Sequence, residues 1–345
     1  PRVSGSEWST AATPNNTESD GSSTAPDAAS FTSISGWTFT PKYLSVGRRV
    51  RGGVLRSPEP GRNHHDERVP RTGSGRRWSR RRIAMAHDRW KKPAHELLRV
   101  NEGFRLEAFD ATRTPGWKGG SPGAVKYMKK QGVALADLQE RLFADGRSGG
   151  HRSVLLVLQG MDGAGKGGIV RHVIGLVDPQ AVQHHAFGPP TRVELSHNYL
   201  WRIRRALPTP GALGVFDRSQ YEDVLVVRVH DLVPEAVWSK RYDEINAFEA
   251  KVAEAGTVIV KVALVITADE QKRRLSRRLR LPDKYWKYKP RDADERALWP
   301  AYRDAYQSVF DKTSTDVAPW HVIPANEKWY ARLAVTELLL EAFET

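Results

Sequence analysis

The segment that most constrains the fold of this chain is a continuous apolar run that leads directly into a glycine-rich loop. The run covers residues 153–159 (SVLLVLQ), and the loop that follows, residues 160–167, reads GMDGAGKG. An apolar run without polar alternation is typical of a parallel strand covered on both faces. A strand, this spacing of glycines and lysine, and a helical pattern after them together predict a Walker A phosphate-binding loop.

Further strand and helix patterns alternate along the rest of the chain. Strands are predicted at residues 211–217, 257–267 and 319–323. Helices are predicted at residues 94–98, 125–143, 166–176, 194–206, 235–255, 269–280, 292–311 and 327–343. Strands that alternate with helices indicate βαβ units. The sequence therefore predicts an α/β, P-loop kinase-like doubly wound parallel sheet with helices on both faces and a helical lid, in one domain from residue 90 to 345.

Composition excludes several classes of protein. The 345 residues contain no cysteine, so a disulfide, a thiolate metal site and a cysteine nucleophile are all excluded. The sequence lacks a run of about 18 apolar residues, as a membrane-spanning helix would need, and its amino-terminal segment lacks the apolar core of a secretory signal. We therefore expect a cytoplasmic protein with no membrane partner.

The net charge of +14 is unevenly distributed. Residues 1–84 carry 14 Lys and Arg against 7 Asp and Glu, so half of the excess lies in a segment rich in Ser, Pro, Gly and Arg. Such a composition buries too little apolar surface to offset chain entropy and predicts disorder. It favours an extension upstream of a start at Met85 over a polyanion-binding arm. Whole-chain charge is therefore a weak indicator of nucleic-acid binding, and no nucleic-acid partner is expected.

The glycine-rich loop and the second strand supply candidate phosphate and metal ligands. The glycines let backbone N–H groups curl around a phosphate, and Lys166 adds a mobile positive charge. The Ser or Thr that normally follows the lysine and holds Mg²⁺ is Gly167 here, so Asp162 is a candidate ligand. Asp217 ends its strand, where ligands of open parallel sheets bind, and is a second candidate. Two carboxylates suit Mg²⁺. The predicted phosphate-binding glycines are Gly160, Gly163, Gly165, Gly167 and Gly168.

A strongly basic segment follows the third strand. Residues 272–291 contain ten Lys and Arg and one acid, Asp283. Rows of like charge on a helix repel one another, which favours a polyanion-binding surface over a plain solvated face. Pro282 ends the predicted helix, and we interpret residues 270–291 as a lid that carries Lys284 and Lys287. The aromatic residues of the lid, Tyr285, Trp286 and Tyr288, are expected to anchor it to the domain.

From the residues alone, a P-loop kinase and a P-loop protein acting on nucleic acid both remain open. The sequence shows neither a basic groove interleaved with aromatic residues nor motor motifs, which favours the kinase. Within the kinases, an ATP-dependent nucleoside monophosphate kinase is an alternative, and a non-catalytic polyanion-binding protein is another.

An ordered set of short motifs resembles the polyphosphate kinase 2 family. The motifs are GMDGAGKGG (160–168), PT (190–191), LPTPG (207–211), FDRS (216–219), EQ (270–271), PDKYWK (282–287), APW (318–320) and AR (331–332). Two further blocks, LSHNYLWR (195–202) and YEDVLVVRVH (221–230), are similar to class III of that family. The resemblance implies transfer of phosphoryl groups between inorganic polyphosphate and AMP or ADP, with ATP as a product, with Mg²⁺ as cofactor and in a homo-oligomer.

The resemblance also implies roles for residues at matching positions. Asp162 and Asp217 would ligate Mg²⁺, and Lys166 would contact phosphate. Basic residues would clamp phosphates or reach the substrates from the lid: Arg171, Arg218, Arg228, Arg274, Arg278, Lys284 and Lys287. Class III members more often carry Asn where this chain has Asp217.

Overall fold

Five parallel strands form the centre of the molecule in a computed structural model that describes residues 89–345. Their order across the sheet is β2-β3-β1-β4-β5, so from β1 the chain goes to the edge strand β2, returns to β3 beside β1, and then crosses to β4 and β5 on the other side. The predicted doubly wound sheet is thus confirmed. The strands are β1 (Ser153–Gln159), β2 (Val182–Ala186), β3 (Leu213–Asp217), β4 (Thr257–Val265) and β5 (Trp320–Pro324).

The edge strand β2 is absent from the sequence prediction. Its residues read VQHHA, and four of the five are exposed. It pairs with β3 through backbone hydrogen bonds and has little apolar surface of its own. A search for buried apolar runs detects strands in the middle of a sheet and overlooks an edge strand of this kind.

The short helix Val226–Val229 was not predicted. The other helices lie where the sequence predicts them, but three predicted helices are each divided in two. Asn198 interrupts the first, because its side-chain oxygen accepts the N–H of Leu200 at 2.9 Å. Pro300 begins a new helix in the third, a position where proline is favoured. The helices are α1 (Ala94–Leu98), α2 (Ser121–Arg147), α3 (Lys166–His172), α4 (Arg192–Leu195), α5 (Leu200–Arg205), α6 (Val226–Val229), α7 (Glu235–Trp238), α8 (Arg241–Glu254), α9 (Ala268–Arg280), α10 (Asp292–Ala297), α11 (Trp299–Thr313) and α12 (Lys328–Glu344).

Both faces of the sheet are covered by helices. Alternate residues of β1 point to opposite faces, so Leu156 and Leu158 pack with α2, α3 and α12, whereas Leu155 and Val157 pack with α8 and α11. All seven residues of β1 are buried. The unbroken apolar run in the sequence therefore has the physical cause that was predicted for it.

A buried lysine fixes the turn that follows β3. Lys261 in β4 is fully buried, and its Nζ donates to Glu249 Oε2 at 2.7 Å and to the Tyr221 hydroxyl at 2.8 Å. Burial lowers the pKa of Lys261, and the attraction of Glu249 opposes that shift. Glu249 also accepts from Gln220 at 2.9 Å. The segment that directly follows Arg218 and Ser219 is therefore anchored to the core through hydrogen bonds.

Residues 1–84, which are predicted to be disordered, and the predicted start at Met85 lie outside the residues that the structure describes. Within residues 89–345, none of the helices combines the length and the apolar content that crossing a bilayer requires.

Candidate active site

The glycine loop, residues 160–167, leaves the carboxyl end of β1 and enters α3 at Lys166, as predicted. Gly160 has a φ of 150°, and a Cβ at that position would lie 2.7 Å from the carbonyl oxygen of Leu264. Gly165 directly precedes α3 with a φ of 117°, which L side chains rarely adopt. Added side chains at Gly167 and Gly168 would meet nothing within 4 Å. The first two glycines are required by the backbone, whereas the last two leave space in front of the helix.

Lys166 lies at the centre of the loop's charged groups. Its Nζ donates to the carbonyl oxygen of Gly160 at 2.6 Å. Burial lowers its pKa, as does the neighbouring Arg218, while Asp217 and Asp162 raise it. The structure therefore brings both predicted metal ligands close to the predicted phosphate lysine.

The end of β3 places Asp217 and Arg218 beside the loop. Asp217 pairs in register with Leu158 of β1, two residues before the loop begins. Arg218 has a φ of 67°, unusual for a residue with a side chain, and its backbone N–H donates to the Leu158 carbonyl at 3.0 Å. Its guanidinium Nη2 lies 3.3 Å from Asp162 Oδ1. The strained turn thus directs the arginine across the mouth of the loop.

A large basic pocket opens in front of the glycine loop, with a volume of about 560 Å³. Ten lysines and arginines and two aspartates line it. It brings together all the predicted site residues except Gly160 and Arg228. The predicted lining residues are Asp162, Gly163, Gly165, Lys166, Gly167, Gly168, Arg171, Asp217, Arg218, Arg274, Arg278, Lys284 and Lys287.

Three further cations of this pocket are missing from the sequence prediction. Arg277 is on α9, and Lys328 and Arg332 are on α12. None of the three forms an ion pair with an acid within residues 89–345. Burial and the neighbouring Arg171 lower the pKa of Arg332. Arg332 stands in a family motif (AR, 331–332), so that motif is the signal that could have identified it.

Arg228 lies outside the basic pocket. Its Nη1 donates to the Ser308 hydroxyl at 2.8 Å, and its guanidinium lies 4.9 Å from the centre of the Trp238 ring. Both contacts are with helices on the other face of the sheet. The predicted phosphate clamp from this residue therefore has no support in its position.

The predicted lid is a helix followed by a 3-10 turn. Helix α9 ends at Arg280, and Pro282–Lys287 forms the turn that carries Lys284 and Lys287. Arg278 Nη1 is 2.9 Å from Asp292 Oδ2, which ties the end of α9 to α10. The aromatic residues of the lid are exposed, with Trp286 at 77%. The expectation that they anchor the lid to the domain is wrong, since exposed rings bury little surface.

A small acidic pocket of about 60 Å³ adjoins the basic pocket and shares Asp162 and Arg218 with it. Four carboxylates and one arginine line it, together with Tyr302 and Tyr306. Tyr302 donates to Glu295 Oε2 at 3.1 Å, and burial followed by the charge of Glu295 raises the tyrosine pKa. Burial also raises the pKa of Glu222, against the attraction of Arg218 and Lys166. The carboxylates of this acidic pocket are Asp162, Glu222, Asp292 and Glu295.

An apolar cavity of about 270 Å³ shares Gly160, Met161 and Tyr306 with the acidic pocket. Phe109 and Trp299 contribute aromatic surface to its wall. The sequence predicts neither this cavity nor the acidic pocket, because the residues that line them come from segments far apart in the chain and form no recognisable motif.

The donor set of the basic pocket fits a magnesium ion shared with phosphate. Asp162 and Asp217 are both half-exposed and line the same pocket as Lys166. Within residues 89–345 there is no group of three or more His, Asp or Glu that could cage a metal. Mg²⁺ usually takes one or two carboxylates and completes its shell with water and substrate phosphate. The two aspartates meet that requirement.

Known proteins resemble this chain over most of the described residues. The family model described as polyphosphate kinase 2 matches residues 124–345. An AMP/ADP-polyphosphate phosphotransferase from Meiothermus ruber is 45% identical over 241 residues, which cover 70% of this chain and 89% of that protein. An ADP-polyphosphate phosphotransferase from Rhodopseudomonas palustris is 41% identical over 232 residues, which cover 64% of this chain and 79% of that protein. The crystal structure of polyphosphate kinase 2 from Arthrobacter aurescens TC1 has a TM-score of 0.73 and 53% identity, and the match covers 74% of this chain and 90% of that chain.

Proposed function

The chain belongs to the polyphosphate kinase 2 family, and from that premise we propose that it transfers phosphoryl groups between inorganic polyphosphate and AMP or ADP. The observation that carries the proposal is the basic pocket, where ten cationic side chains surround the glycine loop against two aspartates. A polyphosphate chain bears negative charge on every unit and offers no base to recognise. A continuous cationic lining suits such a donor.

The lining of the basic pocket also distinguishes polyphosphate from ATP as donor. A nucleoside is normally held by apolar and aromatic side chains with a few polar groups. Among the described residues of this lining, Phe187 is the single phenylalanine, tyrosine or tryptophan. The cations Lys328 and Arg332 occupy the wall where a base would need stacking surface. This favours polyphosphate over the ATP donor of a nucleoside monophosphate kinase.

The acceptor nucleotide would approach from the acidic pocket. Its phosphate would meet Arg218, which lies between the two pockets, and its hydroxyl groups could donate to Glu295 or Glu222. The apolar cavity behind Met161 offers aromatic surface for a base. Donor and acceptor would then meet across Lys166 from opposite sides, the arrangement that in-line transfer needs.

Catalysis in this arrangement would depend on alignment and positive charge. The acceptor phosphate has its second pKa near 6, so its attacking oxygen is already largely anionic at neutral pH and needs no general base. The loop amides, Lys166 and Arg218 would stabilise the charge spread over the transferred group in a loose transition state. Lys166 would exchange its bond to the Gly160 carbonyl for one to phosphate.

Asp162 and Asp217 would hold Mg²⁺ beside the reacting phosphates. When bound, the ion supplies charge neutralisation and a template for the phosphate oxygens. Asp162 is also held by Arg218, so the same arginine orients a metal ligand and faces the acceptor.

The segment from residue 270 to 291 would act as a lid. Lys284 and Lys287 line the basic pocket from a turn that packs mainly on α9. Their closure over bound phosphates would exclude water and so limit hydrolysis. The class III assignment, the homo-oligomer and any preference between AMP and ADP stay predictions from the resemblance.

A donor assay tests this function. We would incubate the full chain and Mg²⁺ with polyphosphate plus AMP, polyphosphate plus ADP, and ATP plus AMP, and would follow the nucleotides by ion-exchange chromatography. We expect new ADP or ATP in the polyphosphate reactions. Product in the ATP reaction alone would instead identify a nucleoside monophosphate kinase, and binding of polyphosphate without any turnover would identify a polyanion-binding protein.

A further inference from the structure

We propose that Arg274 is a positioning residue that fixes the direction of the backbone amides in the glycine loop. The proposal rests on the proposed function, because it takes this loop to be the phosphate site of the reaction. The family resemblance assigns Arg274 to direct contact with phosphate or nucleotide. Its contacts in the structure are instead with the protein's own backbone.

Four of the five N–H donors of the Arg274 guanidinium are bonded to backbone carbonyl oxygens. Nη1 donates to Gly163 at 2.9 Å and to Ala164 at 2.8 Å, both within the glycine loop. Nη2 donates to Ala325 at 2.6 Å and to Asn326 at 3.0 Å, in the turn after β5. One guanidinium therefore joins the loop after β1 to the turn after β5.

The fifth donor and the positive charge of Arg274 are satisfied by Glu270. Nε of Arg274 donates to Glu270 Oε1, one turn earlier on α9. The two side chains are 7% and 8% exposed. Since arginine has five N–H donors in all, none remains for a substrate. A phosphate could be bound only by breaking a buried, charge-assisted hydrogen bond.

Gln271, the neighbour of Glu270 on α9, also bonds to a backbone carbonyl of the glycine loop. Gln271 donates from Nε2 to the carbonyl oxygen of Asp162 at 2.9 Å. Helix α9 therefore holds three consecutive loop carbonyls, those of residues 162, 163 and 164. A single bond could be incidental to packing, but three in succession define the course of the backbone.

Peptide planarity converts these bonds into a constraint on the amides. In a trans peptide the C=O of one residue and the N–H of the next point in opposite directions. Holding the Ala164 carbonyl towards Arg274 therefore turns the Gly165 N–H away from it. Holding the Gly163 carbonyl likewise fixes the Ala164 N–H, which closes a turn on Met161 at 3.0 Å. Glycine-flanked peptides can flip at little cost, so this loop needs an external restraint.

The same helix then presents cations to the substrate. Arg277 lies one turn beyond Arg274, is exposed, lines the basic pocket and has no acidic partner in an ion pair within residues 89–345. The buried Arg274 orients the loop and the exposed Arg277 faces the polyanion. The two arginines are three residues apart and chemically identical, and burial alone separates their roles.

Steady-state kinetics of Arg274→Lys and Arg277→Gln test the division of roles. Lysine keeps the charge of Arg274 but cannot reach four carbonyls, so we expect kcat to fall about 30-fold. The polyphosphate KM and the slope of log(kcat/KM) against log salt should stay within twofold of those of the wild type. Arg277→Gln should do the reverse: kcat nearly kept, KM raised several-fold, and the salt slope reduced by about one. Lys251→Gln, exposed on α8 and outside both the lid and the pocket, is the neutral control.

Hydrogen exchange of the glycine loop supplies a readout that does not depend on turnover. In Arg274→Lys the amides of residues 163–165 should exchange at least tenfold faster, whereas Arg277→Gln should leave them unchanged. If Arg274→Lys does not fold, Gln271→Leu, which removes one of the three restraints, should still give a smaller kcat loss and faster exchange. Unchanged loop exchange, or a loss confined to the polyphosphate KM, would overturn the proposal. Failure of the wild-type enzyme to use polyphosphate would contradict the proposed function, and the exchange result would still decide the role of Arg274.

Discussion

The two pockets beside the glycine loop differ strongly in the charge of the residues that line them. The basic pocket has ten cationic side chains and two aspartates, whereas the acidic pocket has four carboxylates and one arginine. Asp162 and Arg218 line both pockets. The basic pocket therefore suits a polyanion, and the acidic pocket suits a molecule that is charged at one end only.

This difference matches the two proposed substrates. Polyphosphate is charged throughout and would be repelled by Glu222, Asp292 and Glu295. A nucleotide is charged at its phosphates, and its sugar and base can donate hydrogen bonds to carboxylates and stack on aromatic rings. The contrast explains how one loop can orient donor and acceptor without a separate recognition domain.

The largest expected effect comes from removing the lysine of the glycine loop, which lines the basic pocket. Lys166→Ala should lower kcat by about a thousandfold or more, because the transferred phosphoryl loses its nearest mobile charge. The fold should persist, since the lysine is only half-buried and donates to a single carbonyl. The measurement is kcat with saturating polyphosphate and nucleotide, together with a thermal melt. A variant with near wild-type kcat would remove Lys166 from the mechanism.

A smaller effect is expected at the end of β3. Asp217→Asn keeps an oxygen ligand but loses the negative charge, so kcat should fall about thirtyfold and half-maximal activity should require more Mg²⁺. A magnesium titration of wild type and variant measures both quantities. If activity and magnesium requirement are unchanged, Asp217 does not hold the metal through its charge.

The lid lysines test the basic side of the comparison. Lys284→Ala combined with Lys287→Ala should raise the polyphosphate KM about tenfold and leave the nucleotide KM within twofold. Both side chains lie on an exposed turn, so the free energy of unfolding should change little. An increase in the nucleotide KM of the same size would contradict the separation of the two sides.

The acidic side should give the smallest effect and the opposite selectivity. Glu295→Gln keeps the shape of the side chain and removes its charge, so the nucleotide KM should rise about threefold with the polyphosphate KM unchanged. Lys251→Gln again serves as the surface control. A change in the polyphosphate KM alone would show that the acidic pocket does not receive the acceptor.

The central strands β1, β3 and β4 were predictable because they are buried on both faces and so are mostly apolar, with the buried Lys261 of β4 as an exception. Strand β2 was not, because its polar, exposed residues are held only by backbone bonds to β3. The broken helices have two different causes. Pro300 is a helix-breaking signal that the sequence prediction did not use, whereas Asn198 interrupts a helix through a side-chain bond to Leu200 that the periodic pattern does not reveal.

The candidate site shows the same division. The glycine loop, Lys166 and Asp217 were found because their spacing relative to a strand is fixed by local geometry. The arginines of α9 look alike in the sequence, so the pattern cannot distinguish Arg274 from Arg277. All N–H donors of Arg274 are hydrogen-bonded, whereas Arg277 forms no ion pair with an acid among the described residues. Arg228 was predicted from alignment of a motif, yet it packs against Trp238 on the other face.

The sequence by itself determined the strand that carries the loop, the residues able to touch phosphate, and the family to which they are similar. These properties are local, since a run of seven apolar residues and a glycine spacing need no distant partner to be recognised. Only the tertiary structure decided which cations face solvent and which hold the backbone, and that acids line a second pocket at the loop. Those properties arise from contacts between segments more than a hundred residues apart, such as Arg274 with Gly163, and the free energy of a charged side chain depends strongly on how deeply it is buried.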